Sequence, residues 1–218
     1  MTIAPLGDSA LLVRVGDSLG EVLETTRRLR RARIPGVEEV VPAFASVSVF
    51  LKSPLDYEHC LASIRAALRR PAISRPAKAP RLIEIPVCYD AEFGLDLTVV
   101  AKQTRLSPNE IACCHARAKY RVRCVGFTPG FPYLEGLPRI LATPRRASPR
   151  TSVASGSVAI GGRQTGIYPL ASPGGWNIIG RTPLRLFDLT RDHPALLRAG
   201  DAVRFVAITR EEFERWEK

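Results

Sequence analysis

The sequence predicts an α+β protein in which a small N-terminal α/β sandwich precedes a closed β-barrel. Three observations carry that reading. Residues 1–70 run strand, helix, strand, strand, helix, the order of an open-faced sandwich. The stretch "RRPAISRPAKAP", Arg69 to Pro80, then breaks every apolar period. Beyond it, short strands alternate with Gly/Pro turns at close intervals, which argues for a barrel. The predicted organisation is therefore an N-terminal domain over 1–70, a semi-extended linker over 71–80 and a barrel domain over 81–218.

In the first domain "ALLVRV" reads as a short strand. Ser18 and Glu21 have the spacing of a capping box, which satisfies orphan N–H groups at a helix start. Leu19, Val22, Leu23, Thr26 and Leu29 then recur at helical spacing. Arg27, Arg28, Arg30 and Arg31 fall mostly on the other face, so this run reads as a wet helix surface. "VEEVVPAF" and "SVSVFLK" form two strands joined by a turn, and Ser53-Pro54 opens a second helix with proline at its first position. Tyr57, Leu61, Ile64 and Leu68 supply its apolar face.

In the second domain "RLIEIPVCY" is a strand, and Asp96 is placed to cap a short helix, "LTVVAKQT". Ser107-Pro108-Asn109-Glu110 is a second capping box, opening a helix that carries Ile111, Cys114 and His115. "KYRVRCVGF" alternates, with Lys119, Arg121 and Arg123 on one face and Tyr120, Val122 and Cys124 on the other. The strands "TSVASGSVAIGG", "QTGIYPLA", "GWNIIGR", "PLRLFDL" and "DAVRFVAI" follow, and "REEFERWEK" reads as a short helix or a frayed tail.

Composition narrows the function. The chain of 218 residues carries a formal net charge of +11, with hydrophobic content of 45%. No apolar run approaches the roughly 18–20 residues of a membrane helix, and the N-terminus lacks the basic segment of a signal peptide, so the expected location is cytoplasmic. Five cysteines without CxxC spacing agree with a reducing compartment, and adjacent Cys113, Cys114 and His115 point in different directions on a helix, so no metal site is expected. Between Ile111 and Phe187 the only acidic residue is Glu135, among eleven basic ones. A one-signed field of that size suits either an anionic ligand or a merely solvated basic face. No nucleic-acid module accompanies it.

"GSVAIGGRQT", Gly156 to Thr165, lacks the GK[ST] of a phosphate-binding loop and is followed by a β-like segment. Its glycines Gly156, Gly161 and Gly162 still permit an anion-binding nest of consecutive N–H groups. "VGFTPGFPYLEGLP" packs three glycines, three prolines and three aromatics into Val125–Pro138. Phe127, Phe131, Tyr133, Tyr168 and Trp176 sit among glycines and prolines such as Pro129 and Gly130, which suits either a rigid ligand wall or ring-plugged barrel corners.

"GFTPGFPYLEGLP", "TPRR", "GSVAIGGRQTGIYPLASPGGWNIIGRTPLRLFD" and "LLRAGDAVRFV" together resemble the bacterial 5-oxoprolinase B-subunit family, also called KipI-like or allophanate hydrolase subunit 1. That family is similar to the first half of the carboxyltransferase domain of urea carboxylase. The resemblance runs in order across roughly Arg81 to Ile208. It implies a cyclophilin-like barrel, related to carboxyltransferase subdomains C and D, and a partner, the C subunit, whose barrel completes a shared site. It implies a complex, with the A subunit as third member, that opens 5-oxo-L-proline to L-glutamate. ATP is then a co-substrate of the complex, with Mg2+ admitted beside it. The chain departs from the family pattern at Ala154, Ser155, Ala159 and Arg163, and at Arg121 and Arg123.

On that footing His115 is the expected proton-transfer group. The Gly156–Thr165 nest, with Ser157, Gln164 and Thr165, and Arg145 or Arg146 would hold anion and carbonyl groups. Phe127, Phe131, Tyr133 and Trp176 would wall the pocket. The alternatives are a KipI-like inhibitor of a sensor histidine kinase, or part of an enzyme acting on allophanate or another urea-derived amide.

Overall fold

A computed structural model describes residues 1–70 and 79–216, so most of the predicted linker lies outside the described residues. The chain divides into two compact units, Met1–Ala79 and Pro80–Lys218. Among the described residues the strands form sheets of four, seven and two strands.

The first unit contains β1 (Thr2–Pro5), β2 (Ala10–Arg14), α1 (Leu19–Ala32), β3 (Val37–Pro42), β4 (Ser46–Leu51) and α2 (Tyr57–Arg69). Its antiparallel sheet has the order β1-β2-β4-β3. Alternation sends Leu11 and Val13 of β2 and Val47 and Val49 of β4 into one core with Val22 and Leu29 of α1 and Cys60 and Ile64 of α2. The sequence reading lacked β1. This four-residue edge strand ends on Pro5, which a ladder tolerates only at its margin. The Ser18 box forms by half, since Ser18 accepts from the Glu21 N–H with no reciprocal bond. Ser53 caps a single 3-10 turn, Pro54–Asp56, and the α-helix begins only at Tyr57. The arginine run is more than a wet face. Arg28 donates to the carbonyls of Ala67 and Leu68 at the end of α2, and Arg30 to that of Val40 on β3.

The second unit contains β5 (Leu82–Val87), α3 (Leu97–Thr104), α4 (Pro108–Arg117), β6 (Tyr120–Val125), β7 (Pro132–Glu135), β8 (Arg150–Val153), β9 (Ser157–Gly161), β10 (Gln164–Ile167), β11 (Ser172–Gly174), β12 (Asn177–Arg181), β13 (Ala202–Ala207) and α5 (Arg210–Trp216). Its main sheet has the order β12-β9-β10-β7-β6-β13-β5. The two ends meet. Cys88, just past β5, and Arg181, at the end of β12, exchange both main-chain hydrogen bonds at 2.9 Å, so the sheet closes on itself. Ile85, Val122, Leu134, Ile160, Ile167, Ile179 and Phe205 are among the side chains of its core. Helix α4 packs on β13 and α3 on β12, and the Ser107–Glu110 box that starts α4 is complete in both directions.

Four expectations fail locally. "PYLE", read as loop, is strand β7, because its alternating Pro132 and Leu134 are buried. "PLRLFDL" is no strand beyond one isolated bridge from Phe187 to Ala195, since Pro183 has no N–H and the Leu184 N–H turns to Thr182 Oγ1. The alternation of β6 breaks at a bulge between Val122 and Cys124, which leaves Arg123 only 3% exposed and paired with Glu135 at 3.0 Å. Asp96 stands at the cap of α3 but makes no side-chain cap bond. Its carboxylate is used elsewhere.

Candidate functional site

The candidate residues divide between the inside and the outside of the barrel, and strand register does the dividing. Gln164, Thr165 and Gly166 of β10 oppose Gly161, Ile160 and Ala159 of β9, and Gly166 also opposes Tyr133 of β7. Neighbours along a strand face opposite ways. Thr165 therefore points inward with Ile160, whereas Gln164 shares the outer face with Gly161, Gly166 and Tyr133.

On that outer face Phe131, Tyr133, Tyr168 and Trp176 gather with Val153, Ala159 and Ile178. The Phe131 ring meets those of Tyr133, Tyr168 and Trp176 edge to face, with centroids 5.0, 5.2 and 5.6 Å away. Two glycines make room for the layer. A Cβ on Gly161 would lie 2.5 Å from the Trp176 ring, and one on Gly166 would lie 2.9 Å from Phe131 Cζ. Gly130, at φ +84°, lies against Phe187 and turns the chain into β7. Phe127 adopts a left-handed φ of +71° and is 63% exposed, with Pro129 exposed beside it. A non-glycine residue held there carries strain of the kind that marks binding sites. Burial pushes the Tyr133 and Tyr168 hydroxyls up in pKa, and the charge of Arg145 opposes the rise at both.

The segment Thr143–Arg150 borders this face. Thr143 and Gly162 exchange main-chain hydrogen bonds, the Arg146 N–H donates to Gly175 O at 2.8 Å, and Asn177 Nδ2 donates to Pro144 O at 2.8 Å. Beneath it lies Asp96, 2% exposed. Its Oδ1 accepts from Arg146 Nη1 at 2.8 Å and Arg150 Nη2 at 2.9 Å. Its Oδ2 accepts from Arg150 Nη1 and the Ile178 N–H, both at 2.8 Å. Burial alone would raise the Asp96 pKa. The Arg150 and Ile178 hydrogen bonds and the charges of Arg150 and Arg146 overcome it and leave the carboxyl below its usual range. Arg145, next in the chain, turns outward, with its guanidinium 5.6 Å from the Trp176 ring centre. A cleft of about 500 Å³ opens between the loop and Val99 and Gln103 of α3.

His115 is elsewhere. It is 0% exposed inside the barrel, stacked on Phe205. Thr165 Oγ1 donates to Ala159 O and so accepts from His115 Nε2–H at 2.9 Å. The imidazole is then neutral, and its Nδ1 accepts from the Tyr89 hydroxyl at 2.8 Å. Burial lowers its pKa to about 3. A ring so enclosed and so satisfied is not placed to exchange a proton with a ligand on the outer face, and the structure gives His115 and Thr165 a structural position. The expected nest also fails. Gly156–Thr165 is a β-hairpin with Gly162-Arg163 at its tip. Its N–H groups serve the fold instead: Gly156 donates to Tyr168 O, Ser157 to Ala154 O and Gly162 to Thr143 O.

Sequence reasoning missed Asp96 as the anchor of the arginines, along with Arg150 and Asn177. Asp96 and Arg150 stand 54 positions apart, so no local spacing signals the pair. Among the described residues no group of three or more His, Cys, Asp or Glu is placed to hold a metal, and no helix is long and apolar enough to cross a membrane.

Comparison with known proteins follows the same lines. A family profile described as carboxyltransferase domain, subdomain C and D, matches residues 1–197. The chain is 41% identical to the 5-oxoprolinase B subunit of Bacillus subtilis strain 168, over 99% of this chain and 96% of that one. It is 48% identical to the 5-oxoprolinase B subunit of Escherichia coli O157:H7, over 81% of each. Among solved structures, TTHA0988 superposes with a TM-score of 0.78 at 37% identity, and 91% of this chain spans 40% of that longer one. The Kluyveromyces lactis urea amidolyase shares the fold with a TM-score of 0.78 at 23% identity, over 98% of this chain and 15% of that one.

Proposed function

Since the chain belongs to the 5-oxoprolinase B-subunit family, built on carboxyltransferase subdomains C and D, we propose that it is the B subunit of an ATP-dependent lactam hydrolase. The complex, with its A and C subunits, would open 5-oxo-L-proline to L-glutamate. The observation that carries the reading is the 41% identity that spans 99% of this chain and 96% of a named B subunit.

The chemistry asked of such a complex is specific. A lactam is a poor electrophile, and transfer of a phosphoryl group from ATP to its carbonyl oxygen activates the ring carbon. Water adds to that carbon, the ring C–N bond breaks and the nitrogen takes up a proton. A second water releases phosphate from the γ-acyl phosphate so formed. Developing negative charge on carbonyl and phosphoryl oxygens calls for fixed positive groups. The outer face supports that role: a rigid aromatic layer of Phe131, Tyr133, Tyr168 and Trp176, Gln164 on the same face and Arg145 at its border. The exposed, strained Phe127, at the edge of a layer whose Phe131, Tyr168 and Trp176 rings are buried, suits a site whose opposite wall belongs to the C subunit. ATP, with Mg2+, is then shared with the complex rather than held by this chain alone.

The test is ATP-dependent consumption of 5-oxo-L-proline by the purified chain mixed with the A and C subunits. Absence of turnover in a complex shown to be assembled overturns the reading. A second reading has one observation in its favour. Over 72 residues the chain is 39% identical to a urea amidolyase of Lachancea kluyveri, so allophanate and related ureides belong in the same assay as competing substrates. Recovery of a sensor histidine kinase without a C subunit in a pulldown would redirect the reading to a KipI-like inhibitor.

A further inference from the structure

We propose that the cleft between α3 and Pro144–Ser148 is a binding site for a small anion, a carboxylate or a phosphate. Three guanidiniums, those of Arg145, Arg146 and Arg150, stand here against the single carboxylate of Asp96. The local excess is thus two positive charges. Asp96 can neutralise no more, because both its oxygens already accept two hydrogen bonds each. The one acid of the basic span from Ile111 to Phe187, Glu135, is taken by Arg123.

The three arginines are not equivalent. Arg150 spends its fork on Asp96 in two parallel bonds. Arg146 gives Asp96 only Nη1, and its Nε is shielded from water with no acceptor. A nitrogen that water cannot reach is closed to a ligand oxygen too, so Arg146 offers the cleft its positive charge through the 31% of its side chain that is exposed. Arg145 has no carboxylate partner among the described residues and rests on the Trp176 face. The loop that presents both is fixed before any ligand arrives, through Thr143 to Gly162, Arg146 N–H to Gly175 and Asn177 to Pro144. Val99 and Pro144 line the cleft with apolar surface, and Gln103 and Ser148 add neutral polar groups. Cationic groups and a partly apolar wall suit a compact anion with an organic body, or a phosphate at the end of a larger ligand.

The inference rests on the B-subunit reading only for one choice of probe. Binding to the full chain, free of any partner, is measured by calorimetry with inorganic phosphate, with 5-oxo-L-proline and with its neutral carboxamide. Trp216→Phe leaves Trp176 as a fluorescence reporter beneath Arg145. The expected result is saturable binding of phosphate or 5-oxo-L-proline and none of the carboxamide. Arg145→Gln and Arg146→Gln should each weaken that binding about tenfold or more. Phosphate alone binding identifies a phosphoryl site, and 5-oxo-L-proline alone a substrate carboxylate site. The proposal is overturned if neither anion binds, if the carboxamide binds equally well, or if neither variant weakens binding. Arg145→Gln keeps the test decisive should Arg146→Gln fail to fold, because Arg145 is exposed. Turnover by the assembled complex is a separate measurement, so a failed cleft and a failed reaction assignment give different results.

Discussion

Asp96 and His115 are both buried, polar and at helix ends, yet they serve opposite purposes. Asp96 remains charged because two arginines and a main-chain N–H surround it. Removing its charge while both guanidiniums remain should be severe: Asp96→Asn is expected to destabilise the fold by about 3 kcal/mol, read from urea unfolding. Its folded pKa is depressed, so its contribution is present above the unfolded value near 3.9 and disappears as pH falls through the lower folded value. His115 remains neutral because burial holds its pKa at about 3. The unfolded chain, with a histidine pKa near 6.5, binds a proton that the folded chain refuses. Stability should therefore fall by roughly 1.4 kcal/mol per pH unit on going below about 6.5, levelling near 3. His115→Gln should flatten that limb in unfolding titrations between pH 7 and 4. An unchanged slope would remove His115 as its source. Neither role is visible in the sequence, where Asp96 looks like a helix cap and His115 like a proton donor.

At the scale of elements, the glycine-backed aromatic layer makes a sharper prediction. Gly161→Ala drives a methyl into the Trp176 ring and should cost about 1–3 kcal/mol by overpacking. It should also shift Trp176 fluorescence and lower turnover by the assembled complex. Retention of full activity with an unshifted spectrum would mean that the ring has no such seat. The start of α4 and its cap were legible because their signals are local: Ser107, Pro108 and Glu110 lie within one turn. The strand at "PYLE" and the coil at "PLRLFDL" were not, because a strand is decided by whether a partner ladder is available. Tyr133 has Gly166 and Cys124 beside it. The segment after Pro183 has only one bridge. The bulge in β6 likewise buries Arg123 against Glu135, reversing what strict alternation requires.

Across the whole chain, each unit has its own core, one around Val22, Val49 and Ile64 and the other around Ile85, Ile160 and Phe205. Residues 80–218 expressed alone should accordingly unfold in a single cooperative transition, followed by circular dichroism. A broad, non-cooperative loss would show that the barrel depends on the first unit. The class of fold, the order of most elements, the basic, acid-poor span from Ile111 to Phe187 and the family are all legible in the chain before it folds. All of these rest on local periodicity, composition or long contiguous motifs. Which candidates stand together depends on the folded barrel. Barrel closure through Cys88 and Arg181 and the register of β7, β9 and β10 put Gln164, Tyr133 and Trp176 outside and His115 and Thr165 inside. The Asp96 cluster then separated Arg145 from Arg146. One residue of register reverses the face of a side chain, and an ion pair across 54 positions leaves no trace in local spacing.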